Sequence, residues 1–389
     1  MNYNNPQPKT AALTTILVCA VVFLLFSFFW LYSFQGDLLA VAQHILSDGQ
    51  THYNRLVGAV LITVILFIIQ QGVYAVVRLT RSTHALTYFP SFLLLTVLSS
   101  MAANDSGHLA MGQWTLLFPV LLILWGGAVW LAKQWEPMEA GTRGSVGLFS
   151  RCTWVNVLLM CFMMLLVALI SNTNAVYHYR VHAEIALKED RVDDALRVGS
   201  RSHETDESLT MLRLYALSKK GLIGDSLFSY ALAGTSQDML PMKDSHSHLL
   251  IYPVDSLWSH FGPLRPSADM TVREYLDSLS LDTLSTSAYR DYRLAGMLID
   301  RRLDSFVVAL PRYYPMSADS LPRHYREALI LYYNEVADST QRMLYSDSLM
   351  LHRWQKFNDM REQYPRLPEQ QVRAKDNFSR TYWLYYLYK

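Results

Sequence analysis

Residues 56–77 read LVGAVLITVILFIIQQGVYAVV, a run of 22 positions without a charged side chain. A helix needs about 20 apolar residues to cross a hydrocarbon core of about 30 Å, so this run predicts a membrane-spanning helix. The same test applied along the chain predicts a bundle of five transmembrane helices. The predicted spans cover residues 11–34, 56–77, 85–103, 109–132 and 153–170.

The charged residues divide the chain after the last predicted span. Residues 1–175 hold seven Lys and Arg and five Asp and Glu, whereas residues 176–389 hold 27 and 28. We therefore predict a transmembrane domain over residues 1–175 and a soluble all-helical domain over residues 176–389, which makes the whole chain all-α. The charges of the second domain are balanced and interspersed, which argues against nucleic acid as a partner because that partner needs a clustered basic surface.

The third predicted span is weakened by Pro90 and several hydroxyl residues. Only the turn-forming residues 104–108 separate it from the fourth span, so these two spans should form a tight antiparallel hairpin.

The first predicted span could instead be a cleaved signal peptide. Its apolar run exceeds the usual core of about 7–15 residues, and Phe29 and Trp30 stand where small residues would mark a cleavage site, so we interpret it as an anchor.

The basic residues of the short loops predict orientation, since loops rich in Lys and Arg stay in the cytoplasm. One side carries six such residues and the other only Arg55, which places the N-terminus in the cytoplasm. Five spans then put the C-terminal domain outside a bacterial inner membrane, in the periplasm of a Gram-negative cell. The six cytoplasmic residues are Lys9, Arg78, Arg81, Lys133, Arg143 and Arg151.

Three stretches of the second domain share a helix–turn–helix pattern, namely 176–198, 209–232 and 289–310. Aligned on their turns, they bring three sets of residues into correspondence, and the first two copies are offset by 30 positions. The sets are Leu187, Leu217 and Leu298; Val192, Leu222 and Leu303; and Ala195, Asp225 and Phe306.

The small and apolar residues of Ala183–Leu196 make this segment resemble a tetratricopeptide repeat, which implies a helical solenoid with a concave surface for proteins or peptides. The Trp and the Leu-Gly pair of that family are missing, and Asp225 stands where an Ala is expected. An irregular all-helical domain remains the alternative. Further helices are predicted at 322–336, 342–364 and 369–388, and residues 234–287 are interpreted as loop with short helices.

The whole layout is also similar to an uncharacterised family of bacterial membrane proteins, because a small membrane bundle precedes helical hairpins and the aromatic end Thr381–Tyr386. That resemblance implies no activity. The aromatic end itself has two interpretations: a last helix that seals the core or contacts the membrane, or a docking face for a partner.

Two groups of histidines are candidate metal ligands. His178 and His182 share one helix face, and residues 244–248 alternate His with Asp and Ser. Neither group has further ligands at a suitable spacing. We therefore predict no metal and no cofactor.

Asp37, Asp105 and His108 lie in predicted outer loops and are the candidate catalytic residues, since enzymes of lipid-linked sugars keep carboxylates at such surfaces. Charged residues excluded from the apolar core also collect there without any function. Within the spans the chain has no Asp, Glu, Lys or Arg, which argues against a pump or coupled transporter. We expect a scaffold or protein-binding protein, and the alternative is a membrane enzyme acting on a lipid-linked or glycan substrate.

Overall fold

The structure is a computed structural model, which describes residues 8–79, 81–103, 108–110, 112–139, 150–317, 320–336 and 347–388. The chain divides into two compact units, Met1–Asn174 and Ala175–Lys389. Helices dominate both units, and the described residues include only two strands, each of two residues. The all-α prediction is confirmed.

The described residues of the first unit form six α-helices and one short hairpin. A π-helical turn, Trp30–Phe34, extends the first helix, and a 3₁₀ segment, Arg81–Tyr88, leads directly into the fourth. The α-helices are α1 Pro8–Phe29, α2 Gly36–Leu46, α3 Arg55–Val77, α4 Phe89–Ser100, α5 Trp114–Glu139 and α6 Arg151–Ile170. The strands are β1 Ala102–Ala103 and β2 Leu109–Ala110.

Four described helices are long and apolar enough to cross a membrane: Leu13–Phe34, Arg55–Val77, Trp114–Gln134 and Arg151–Ile170. Their outer faces are apolar. Along α3, for example, Leu56, Val60 and Ile68 are exposed while Thr63 and Gln70 are buried. A water-soluble bundle has the opposite arrangement, so this distribution indicates a membrane protein.

The third predicted span has a different local structure. Pro90 stands in the first turn of α4, where its missing N–H costs nothing, and the preceding eight residues form the tighter 3₁₀ helix. The 12 residues of α4 rise only about 18 Å, too little to cross a bilayer alone. The 3₁₀ segment adds about 16 Å, so the combined element is about as long as a full span.

This combined element lies at the centre of the first unit. Near its start, the Ala85 N–H donates to Asn156 Oδ1 on α6 at 2.7 Å. Near its end, Ser99 accepts from the Trp30 indole N–H at 2.9 Å and, through its carbonyl, from the Asn172 N–H at 3.0 Å. The C-terminal ends of α1, α4 and α6 therefore lie at the same end of the unit.

The fourth predicted span, residues 109–132, begins in the structure with β2 and continues as α5. Ala102 pairs with Ala110 and Ala103 with Leu109 in an antiparallel ladder, so the chain reverses direction between the third and the fourth predicted span. Helix α5 then runs back toward the start of the central element, where the Trp125 indole N–H donates to the Leu86 carbonyl at 2.8 Å.

The second unit contains twelve described α-helices, many of them short. They are α7 Ala175–Lys188, α8 Val192–Arg197, α9 Glu207–Lys220, α10 Ile223–Ser226, α11 Val254–Ser259, α12 Val272–Leu281, α13 Ala288–Ile299, α14 Leu303–Ala309, α15 Arg323–Leu331, α16 Ser348–Gln363, α17 Leu367–Phe378 and α18 Tyr382–Tyr388. Between α10 and α15 lie 3₁₀ turns at Leu227–Ser229, Ser236–Met239 and Leu310–Arg312, and a π turn at Tyr332–Val336 follows α15.

In three helical hairpins the first helix ends in the same type of C-terminal cap. Asp190, Gly221 and Arg301 all adopt left-handed backbone angles, with φ of 57°, 68° and 58°. In each hairpin the next residue donates its N–H to the carbonyl five positions earlier, which closes the first helix. These bonds join Arg191 to Ala186 at 2.8 Å, Leu222 to Leu217 at 2.9 Å and Arg302 to Met297 at 2.8 Å.

The shared cap corrects the sequence alignment of the second hairpin by one position. Leu217 corresponds to Ala186 and Met297, rather than to Leu187 and Leu298, and the first two copies are offset by 31 residues. Every residue from Ser208 to Leu217 is buried, so α9 has no polar face that could fix its register from the sequence. Asp225 therefore does not occupy the position of Ala195.

The C-terminal helix predicted at 369–388 is two helices, α17 and α18. The chain turns between them, where the Thr381 N–H donates to the Phe378 carbonyl at 3.2 Å. Tyr382 and Trp383 are fully buried in the core of the second unit, and the Trp383 ring packs against Trp354 with centroids 5.1 Å apart. The start of the aromatic end therefore seals the core.

Candidate functional site

Asp37, the first candidate from the outer loops, lies in the first turn of α2, a helix that the sequence analysis missed. Its carboxylate accepts a hydrogen bond from Arg55 at the start of α3, and its side chain is about 18% exposed. Asp37 and Arg55 therefore fasten the starts of two helices to each other. This contact accounts for a carboxylate at this position without catalysis.

His108, the second candidate, is exposed and directly precedes β2. Helix α2 packs against β1, so the helix of Asp37 and the hairpin of His108 belong to the same end of the first unit. Asp105 lies outside the described residues. A catalytic role of Asp37, Asp105 and His108 therefore stays a prediction.

The two histidines of residues 244–248 have structural contacts. The His246 N–H donates to Asp238 Oδ1 at 2.8 Å, and its Nδ1 lies 3.2 Å from the same oxygen. The His248 N–H donates to Ser208 Oγ at 3.0 Å, and its carbonyl accepts from Arg180. The part of the chain that the structure describes contains no group of three His, Cys, Asp or Glu placed to hold a metal.

One nucleophile–base pair was missed by the sequence analysis, because its members are 42 positions apart. Ser218 Oγ lies 2.7 Å from His260 Nε2, at the end of α9 and just after α11. Partial burial, together with Lys219, lowers the pKa of His260, which favours its neutral form. No carboxylate hydrogen-bonds to the ring of His260 among the described residues, so the orienting member of a catalytic triad is missing. We interpret this contact as a link between α9 and α11.

Glu184 is a fully buried carboxylate on α7. Its Oε2 accepts three backbone hydrogen bonds, from Leu250 at 2.8 Å, Ile251 at 2.7 Å and Tyr252 at 3.1 Å. Arg180 lies one helical turn away, with its Nε 3.6 Å from Oε1. Burial raises the pKa of Glu184, and the three N–H donors and Arg180 oppose this shift only in part. Glu184 holds part of the irregular segment 234–287 onto the first hairpin.

Arg213, on α9, is buried to 1% exposure. Its guanidinium donates to carbonyls on both sides of the helix, at 3.0 Å to Gly199 and at 3.2 Å to Ala231, and to Thr205 Oγ1 at 3.3 Å. It also lies over the ring of Tyr230, 5.2 Å from the centroid. Arg213 thereby joins the loop before α9 to the loop after α10.

Glu327, on α15, is also fully buried. Its Oε1 accepts from Arg323 Nε at 2.9 Å, while its Oε2 lies 2.9 Å from His324 Nδ1 and accepts from the Tyr382 N–H at 2.7 Å. Burial acts to raise the pKa of Glu327, but His324, Arg323 and the Tyr382 N–H together hold it below the usual range. The backbone carbonyl of Glu327 accepts from the Trp383 indole at 2.8 Å, so one residue anchors the start of α18.

Comparison with known protein families identifies a similarity within the second unit. Residues 267–389 match the model of a family of unknown function (DUF6057). The matched segment contains the third hairpin, Glu327 and the C-terminal helices, and it lies entirely within the second unit. No curated protein and no solved structure matches the chain.

Proposed function

We propose that the chain is a membrane-anchored scaffold of the bacterial inner membrane, in which five crossings present a helical protein-binding domain outside the cytoplasm. The observation that carries this proposal is the contrast between the two units. The first has apolar outer faces on helices long enough to span a bilayer, and the second is a buried-core domain built from repeated hairpins.

The number of crossings decides the side of the membrane. An even number returns the chain to the side of its N-terminus, and an odd number does not. The shared end of Trp30, Ser99 and Asn172 supports an odd number, because α1, the central element and α6 all run toward it. The excess of Lys and Arg in the loops at the other end supports a cytoplasmic N-terminus.

The hairpins support a binding role. Helix α9 packs on α7 and α8, and α13 packs on α9 and α10, so the hairpins follow one another side by side. Stacked helical hairpins form extended surfaces that bind proteins or peptides. The solenoid and its protein partner are inferences from this packing.

Crosslinking of the full chain in native membranes tests the binding role. A photoreactive amino acid replaces Arg197 at the end of the first hairpin or Arg201 in the loop that follows it, and Lys356 on α16 serves as the exposed control position. We expect one defined protein to crosslink at 197 or 201 and not at 356. Recovery of lipid adducts alone at all three positions would overturn the scaffold proposal.

Cysteine labelling tests the topology separately. On a background in which Cys19, Cys152 and Cys161 are replaced by Ser, a membrane-impermeant maleimide should label Ser256→Cys in intact spheroplasts. It should label Arg78→Cys only after lysis. Labelling of both positions before lysis, or of Arg78→Cys alone, would reject the proposed orientation.

A further inference from the structure

A cleft in the second unit combines an apolar floor with arginine side chains. The turn Ser236–Met239 and helices α12, α13 and α14 enclose about 120 Å³. Met239, Val272 and Leu276 form the floor and are almost completely buried. Arg273, Arg293 and Arg302 line the walls. We refer to this space as the arginine cleft.

The acidic residues around the cleft neutralise only part of this positive charge. Arg293 pairs with Asp277 at 2.8 Å, and Arg302 pairs with Asp300 at 3.0 Å. Asp300 also accepts from the N–H and hydroxyl of Ser236, another lining residue, at 2.9 and 2.7 Å. These two pairs cancel two of the three guanidinium charges.

The third guanidinium, that of Arg273, forms no ion pair within the described residues. The neighbouring carboxylate, Glu274, is engaged at 2.9 Å by the N–H and hydroxyl of Thr271, where it caps α12. In addition, the Nε–H of Arg302 is buried and donates to no acceptor in the described part of the chain. The cleft therefore carries about one net positive charge and an unused buried donor, and both favour an anion.

The dimensions of the cleft limit the size of the ligand. A cavity of about 150 Å³ holds a benzene molecule, so about 120 Å³ holds a compact group such as a branched aliphatic chain. Burial of that group against the floor is favourable, and a guanidinium matches the geometry of a carboxylate. The two requirements meet in one molecule, an aliphatic carboxylate.

We infer that the arginine cleft binds a small monocarboxylate with a branched aliphatic body, held by Arg273 and Arg302 above Met239, Val272 and Leu276. Such a group occurs as a free acid and as the C-terminal residue of a peptide. The inference is independent of the topology and the protein partner proposed above, because it concerns only residues inside the second unit.

Calorimetric titration of the full chain in lipid nanodiscs tests this inference. The probes are 4-methylpentanoate, a pentapeptide that ends in leucine, and the carboxamide of each. We expect at least one acid to bind and its carboxamide to bind at least about tenfold more weakly, a loss of about 1.4 kcal/mol. Binding of the free acid alone identifies a metabolite site, and tighter binding of the peptide identifies a peptide-end site.

Two variants separate charge from shape. Arg273→Ala should weaken binding of the acid about tenfold without unfolding the protein, because Arg273 is exposed and forms no ion pair within the described residues. Ser305→Trp, at an exposed position of the lining, should block binding by filling the mouth. Arg290→Ala, on the same helix as Arg293 but outside the cleft, is the matched control and should bind normally.

Two results would overturn the inference. One is the absence of binding of both acids at about 10 mM to folded protein. The other is equal binding of acids and carboxamides, since that would reduce the cleft to an apolar cavity without anion recognition.

Discussion

The carboxylate of Glu327 accepts a 2.7 Å hydrogen bond from the backbone N–H of Tyr382, 55 positions further along the chain. This N–H belongs to the start of α18, where backbone donors have no partner within the helix. A buried carboxylate on α15 therefore caps the last helix and fixes where it begins. The same residue sets the break between α17 and α18, which the aromatic sequence pattern did not reveal.

The two buried glutamates should respond differently to replacement by glutamine. Both carboxylate oxygens of Glu327 accept hydrogen bonds, so the NH2 group of a glutamine would face a donor in place of one of these oxygens. Glu327→Gln should therefore lower the free energy of unfolding by about 2–4 kcal/mol. At Glu184 all three backbone donors converge on one oxygen, which glutamine retains. Glu184→Gln should therefore cost less than about 1 kcal/mol.

Chemical denaturation of the full chain in nanodiscs measures both changes. Glu184→Ala is the companion variant, because it removes the acceptor of Leu250, Ile251 and Tyr252 altogether and should cost about 2–4 kcal/mol. Equal losses for the two glutamine variants would show that the distribution of donors between the oxygens does not govern stability.

The contribution of Glu327 to stability should depend on pH. Its pKa is lowered in the folded protein, so the charged form is favoured by folding. This contribution is present above the pKa of an unfolded glutamate, about 4.3, and is lost as the pH falls through the lower folded value. The difference in Tm between the parent and Glu327→Gln should be constant from pH 7 to about pH 5 and shrink below about pH 4.

The contribution of Glu184 to stability should depend on pH in the opposite direction, because burial raises the pKa of Glu184. Its contribution is fully present below the pKa of an unfolded glutamate and is lost as the pH rises through the raised folded value. The parent should therefore lose stability relative to Glu184→Gln between about pH 4 and neutrality. A Tm difference that does not change over this range would contradict the assignment.

Much of the architecture follows from patterns that a sequence exposes directly. Long uncharged runs predict helices in the first unit, and the runs at 56–77 and 153–170 match α3 and α6 within two residues. Turn residues predict the hairpins of the second unit. The local structure of the third predicted span does not follow from hydropathy, which does not show that this span consists of a 3₁₀ segment and a 12-residue helix that begins next to Pro90.

The buried charges could not be predicted in the same way. Glu184, Arg213 and Glu327 stand in helices whose surface positions also carry charge. Each binds a residue far along the chain: the separation is 68 positions from Glu184 to Tyr252, 14 from Arg213 to Gly199 and 55 from Glu327 to Tyr382. Sequence spacing does not encode such distant contacts. Helix α2 was missed for a related reason, since its 11 residues are too short to give a span and adjoin one.

Gly224 lies where α10 approaches α15 closely. A Cβ atom there would lie 2.6 Å from Pro322 Cβ and 2.9 Å from Tyr325 Cζ, and the proline ring has no alternative rotamer to adopt. The same approach lets Asp225 accept a 2.7 Å bond from the Arg323 N–H. Gly224→Ala should therefore overpack this contact and destabilise the protein by about 1–3 kcal/mol.

The matched control for this variant is Gly126→Ala on α5. No heavy atom lies within 4 Å of a Cβ built at Gly126, and alanine is a better helix former than glycine by up to about 1 kcal/mol. The control should be neutral or slightly stabilising in the same unfolding assay. A neutral result for Gly224→Ala as well would mean that α10 and α15 separate easily.

Substitutions of Arg213 test whether this buried cation stabilises the protein through its charge or through the geometry of its donors. The guanidinium reaches Gly199, Ala231 and Thr205 at once because its donors point in several directions, and an ammonium at the end of a lysine cannot reproduce this geometry. Arg213→Lys should therefore destabilise the protein about as much as Arg213→Met, by about 2–4 kcal/mol.

Hydrogen exchange in the full chain locates the effect of these variants. Both should speed exchange in the loops around residues 198–206 and 230–233, where the partners of Arg213 lie, and should leave α16 unchanged. Arg201→Met, at an exposed position in the first loop, is the control and should not alter exchange. Rescue by lysine would assign the role to the positive charge, and it would contradict our view that the guanidinium stabilises this region by satisfying several buried carbonyl groups at once.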